Sequence, residues 1–124
     1  MKYVYIIVGG AAGSLLRFWM SEFVSTRVNA AFPAAIFIVN MLGALLIGFL
    51  FGLLSVNGKI DERLQFLLFI GFLGGFTTFS SFALENMRLL QDGYVLTALS
   101  YILLTNVLGI GLAYGAYLFA IQLK

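Results

Sequence analysis

The chain has 124 residues, of which 62% are hydrophobic and only 10% charged, with a formal net charge of +2. An ordinary soluble domain carries about 25% charged residues, and a chain this short cannot hide so much apolar surface from water. A soluble globular enzyme and a charge-rich disordered chain are both excluded, and the lack of Cys and His removes disulfides, thiolate chemistry and the commonest general base.

A mean hydropathy of +1.06 leaves an integral membrane protein as the class the composition fits. Long runs that are apolar on all sides, rather than alternating over about ten residues, make it all-α instead of a β-barrel. A membrane helix needs roughly 20 mostly apolar residues, and four such runs follow one another. The first covers residues 3–23, broken only by Arg17 and Glu22 near its far end. Lys2 ahead of it is compatible with a cleaved signal peptide, but the run is long and has no convincing cleavage site. The second covers 30–56, with Pro33 suited to a first helical turn. The third, 64–84, and the fourth, 94–123, contain no charge at all. The connectors Ser25–Asn29, Asn57–Arg63 and Gln91–Gly93 hold the turn and charge signals. The whole chain, 1–124, therefore reads as a single four-helix transmembrane domain.

Four spans place both termini and the second connector on one side, together with Lys2, Lys59, Arg63 and Lys124. The other side holds Arg27 and Arg88, with Arg17 added if it snorkels outward. Lys/Arg imbalance between short loops sets orientation, and here it is slight. Such a chain is expected to insert both ways and to pair antiparallel with itself. Glycines at four-residue spacing (Gly9/Gly13, Gly48/Gly52, Gly111/Gly115) suit close helix approach.

Polar groups inside a membrane are costly unless partnered, so each calls for a reason. Asn40, surrounded by Ile36–Val39 and Met41–Leu42, suits either an interhelical hydrogen bond or donation of amide N–H groups to an anion. Arg17 suits snorkelling beside Trp19, an anion vestibule or the anchoring of a loop. The third span reads GFLGGFTTFSSF from Gly71 to Phe82, poor material for an uninterrupted helix. An interruption at membrane depth frees carbonyls for a cation and helix N-termini for an anion. Beyond it, Phe79 and Phe82 share one face, and Thr78, Ser81 and Glu85 another. Phenyl rings have positive edges that can flank a small anion, although a plain packing stripe has the same spacing. The polar residues of the fourth span (Thr97, Ser100, Tyr101, Thr105, Asn106, Tyr114) gain no role from spacing alone.

The stretch GGAAGSLLR at Gly9–Arg17, the Asn40–Gly43 segment with Gly48, and above all Gly71–Phe82 resemble the Fluc (CrcB) fluoride channels. The resemblance covers essentially the whole chain. It implies a passive, fluoride-selective channel of the cell inner (plasma) membrane, built as an antiparallel, dual-topology homodimer. It also implies a structural sodium ion held by the backbone carbonyls of Gly74 and Thr77 from each subunit. Asn40, Phe79, Phe82, Ser80 and Ser81 would line the anion path, with Arg17 and Glu85 near its ends. Two rivals stand beside this expectation. A dual-topology small multidrug transporter needs a membrane-embedded acid, and the first span has none before Glu22. A structural membrane subunit needs no concentrated Gly/Thr/Ser/Phe stretch.

Overall fold

The computed structural model describes residues 1–124, all of the chain. Its elements in order are α1 (Lys2–Ser25), α2 (Ala34–Leu54), α3 (Glu62–Leu64), a π-helical segment π1 (Gln65–Leu73), α4 (Gly74–Phe76), α5 (Phe79–Gln91) and α6 (Val95–Gln122). Four helical runs (Lys2–Ser25, Ala34–Leu54, Glu62–Gln91 and Val95–Gln122) are long and apolar enough to cross a membrane. The protein is an all-helical, multi-pass membrane protein.

Local chemistry sets the ends of these runs. α2 begins at Ala34 rather than at residue 30, because Pro33 disfavours helix in the residues ahead of it and instead stands at the N-cap. Between α2 and α3 the chain makes a two-residue hairpin, Val56 and Lys59 exchanging backbone hydrogen bonds of 2.7 and 3.0 Å. Its central residues, Asn57 and Gly58, both have positive φ (53° and 75°), as such a turn requires. Asp61 then caps α3, its carboxylate accepting from the Arg63 and Leu64 N–H groups. The third run continues past residue 84 to Gln91 as an amphipathic helix, and Gly93 (φ 82°) turns the chain so that the Tyr94 N–H reaches the Leu89 carbonyl.

α2 packs chiefly on α6, while α1 packs on π1 and α4. Glycines make both approaches possible. A Cβ on Gly9 or Gly13 would overlap the backbone of π1, and one on Gly48 or Gly52 would overlap α6 at Ala113 or Ala120. Gly111 and Gly115 face open space, so their identical spacing serves no contact within this chain. Ile36, Phe82, Leu89, Ala98 and Tyr101 form a buried cluster flanked by Phe32 and Phe37. Lys124 donates to the Ser55 carbonyl, and Lys2 and Arg63 line one pocket. Both termini and the second connector therefore lie at the same end.

Candidate functional site

The third run is helical to Phe76 and again from Phe79, and the two threonines between are extended (Thr77 φ −83°, ψ 154°; Thr78 φ −147°, ψ 120°). Threonine chemistry holds this conformation locally. The Thr77 N–H and hydroxyl both donate to the Leu73 carbonyl, at 2.9 and 2.8 Å, ending the first segment. The Thr78 hydroxyl accepts from the Ser81 N–H at 3.2 Å and starts the next.

Three of the backbone groups there find partners on other helices. The Thr78 N–H donates to Asn40 Oδ1 at 2.9 Å, and Asn40 Nδ2 donates to the Thr78 carbonyl at 3.1 Å. From the far side, Arg17 Nε on α1 donates to the Gly75 carbonyl at 3.0 Å. Gly75 itself must be glycine: a Cβ would stand 2.6 Å from the Gly10 carbonyl and 3.0 Å from Ser14 Oγ. The carbonyls of Gly74 and Thr77 receive no hydrogen bond.

Gly74 and Thr77 border a groove of about 500 Å³. α2 lends it Asn40 and Gly43, the third run lends Gly74, Thr77, Thr78, Phe79 and Phe82, and α6 lends Thr105, Asn106 and Gly109. No charged side chain lines it. Phe79 is 79% exposed and Phe82 only 9%. Their ring centroids are 5.8 Å apart at an interplanar angle of 44°. Behind Phe82, its ring 4.8 Å away, Tyr101 is fully buried and donates its hydroxyl to Glu85 at 3.0 Å.

The structure thus gathers Asn40, Gly74, Thr77, Phe79 and Phe82 around one groove. Arg17, Ser80, Ser81 and Glu85 lie outside its lining. Arg17 neither snorkels nor faces the groove but holds the Gly75 carbonyl. Ser80 Oγ stands 3.3 Å from the Thr78 hydroxyl, and Glu85 is turned toward Tyr101. Of Asn40's two sequence-level readings, the interhelical hydrogen bond is realised, and one Nδ2 hydrogen remains uncommitted beside the groove. Thr105 and Asn106, polar residues to which the sequence assigned no role, also line the groove. Their polarity inside an apolar run was the available signal, but such residues often bond their own preceding turn, as Asn106 does with the Ile102 carbonyl at 2.7 Å.

Chemically the groove offers amide and hydroxyl donors, free carbonyl acceptors and aromatic edges, with no nucleophile–base pair. It suits the passage of a small ion rather than bond-making. Fold and groove together define a small four-span membrane protein with an uncharged polar groove at an interruption of its third span.

Residues 4–117 match the family described as CrcB-like protein, Camphor Resistance (CrcB), and the chain belongs to that family. It is 42% identical over 106 residues to a Flavobacterium psychrophilum protein, covering 86% of each chain. With an Aquifex aeolicus protein it shares 41% identity over 113 residues (91% of each chain). With one from Thermus thermophilus it shares 41% over 116 residues (94% of this chain, 92% of the relative). All three relatives are described as fluoride-specific ion channel FluC.

Proposed function

We propose that this protein is a fluoride-selective ion channel, not an enzyme, letting the anion leave the cytoplasm passively and so lowering its toxicity. The observation that carries this reading is the uncharged groove that brings the Asn40 amide, the threonine interruption and the Phe79–Phe82 pair together, in a chain whose relatives are described as fluoride channels.

Fluoride is small and strongly hydrated, so a pathway must replace its water donors with protein donors. The free N–H of Asn40 and the positive edges of Phe79 and Phe82 serve that role, and Ser80 and Ser81 supply hydroxyls at the flank of the groove. Arg17 acts by holding the backbone that shapes the groove. Glu85, fixed by Tyr101, lies behind the aromatic pair.

One chain provides only one wall of such a path. We read the functional unit as an antiparallel, dual-topology homodimer in the inner (plasma) membrane, the exposed Phe79 of each copy completing the path of the other. The undonated carbonyls of Gly74 and Thr77 are neutral oxygen ligands of the kind a hard monovalent cation takes. Two copies would supply four such oxygens to a structural sodium ion. Bound there, the cation offsets the cost of bringing an anion into a low-dielectric interior.

The rival transporter reading requires proton-coupled movement of a cationic substrate. Purified protein in liposomes is expected to release fluoride with no imposed proton gradient. Transport seen only with a proton gradient and a cationic drug would favour the rival instead.

A further inference from the structure

The exposed face of α6 is apolar nearly throughout: Leu96, Leu99, Leu103, Val107, Ile110 and Tyr114 are 80%, 55%, 63%, 61%, 71% and 62% exposed. Asn106 interrupts that face near the middle of the helix and is itself exposed. A primary amide at that depth is costly unless its hydrogen-bonding groups are met. Only one of them is met within the chain, the Nδ2 donation to the Ile102 carbonyl at 2.7 Å. The second N–H and Oδ1 are left free.

Asn106 borders the same groove as Asn40. The preceding residue, Thr105, also borders it, and its Oγ1 is buried with no partner. Asn40 on α2 and Asn106 on α6 thus border the groove from two helices, Asn40 with its Oδ1 also engaged by the Thr78 N–H. Each commits one Nδ2 hydrogen to a backbone carbonyl and keeps the other. The backbone bond fixes the amide's rotamer, which pre-orients the remaining donor.

We infer that Asn106 is a second amide donor to the permeating anion, on the α6 wall of the groove. The inference rests on the fluoride-channel reading and adds a specificity-determining residue to it. A lipid-facing role leaves the amide unpaired in hydrocarbon. A purely self-satisfied amide accounts for one of its hydrogens and leaves the other, beside the groove that Asn40 also borders, without a role.

The test is fluoride efflux from liposomes, normalised to correctly assembled protein counted by size-exclusion chromatography in detergent. Asn106→Leu keeps the volume and removes the donors, and flux per assembled protein should fall by about tenfold, the order expected for one hydrogen bond to an anion. Asn106→Asp keeps the shape but presents a carboxylate, and flux should be lower still. Asn106→Gln keeps a donor and should retain more flux than either. Unchanged flux in Asn106→Leu overturns the inference, as does a loss that tracks loss of assembly alone, which would make the amide an interface contact. Wild-type liposomes that release no fluoride would instead remove the channel reading itself, so the two failures are distinguishable.

Discussion

The Asn40 side chain takes over the backbone partnership of Thr78: its Oδ1 accepts the Thr78 N–H at 2.9 Å and its Nδ2 donates to the Thr78 carbonyl at 3.1 Å. In a continuous helix that N–H would point to Gly74. Because Asn40 takes it, the Gly74 carbonyl is free, and the extended threonines are pinned to α2 at the groove.

Replacing Asn40 therefore acts on structure and transport together. Asn40→Leu strands a donor and an acceptor inside the bundle, at a cost of about 2–4 kcal/mol. A thermal melt in detergent should show a clearly lowered midpoint, and fluoride flux should be lost. An unshifted melt would mean that the Thr78 backbone finds other partners.

The glycine pairs separate sharply. Gly13→Ala drives a Cβ into the Phe72 carbonyl, so α1 must move off π1, at about 1–3 kcal/mol. Gly115→Ala meets nothing within 4 Å and should leave the melt of the monomeric fold unchanged. Equal effects at both positions would contradict the packing described here.

Gly74 has ordinary helical dihedrals (φ −63°, ψ −35°), and a Cβ there would meet only the Phe69 carbonyl at 3.9 Å. Within one chain a Cβ at Gly74 meets no clash and its dihedrals suit any residue, so a left-handed backbone is not what the substitution reports. If a second copy closes on that carbonyl around a sodium ion, Gly74→Val should weaken dimerisation and abolish stabilisation by sodium. Thr77→Ala leaves its backbone ligand in place and should keep the sodium effect. The measurement is the melting midpoint in sodium against a bulky organic cation. A wild-type midpoint indifferent to sodium argues against the ion.

Phe82 has two roles that substitution can separate. Its ring packs on Tyr101 and it borders the groove beside Phe79. Phe82→Ile keeps apolar bulk at a packing cost of about 1 kcal/mol, while removing the ring edge. Flux per assembled protein should fall steeply. Phe79 is almost wholly exposed, so Phe79→Ile should lower flux with little change in the melt. Normal flux in both variants, tested separately, would take the rings out of the pathway.

How much of this was legible in the sequence follows from the range of each interaction. The four apolar runs are local averages, and hydropathy marks them without ambiguity. The Thr77–Thr78 interruption is also local, built from hydroxyls that bond their own neighbours. The π-helical turn over Gln65–Leu73 left no signal, since its residues are those of any apolar helix. Asn40 with Thr78 and Arg17 with Gly75 are pairs 38 and 58 residues apart, and only folding selects them. Gly13 and Gly115 show the same limit: identical spacing, yet one is buried against backbone and the other faces open space.

The central claim, a path selective for fluoride, is tested most directly by measuring fluoride and chloride efflux side by side from liposomes containing only the purified wild-type protein. The account predicts rapid fluoride release without an imposed proton gradient, with chloride release at the level of protein-free liposomes. Equal release of both anions, or release of neither, would contradict it.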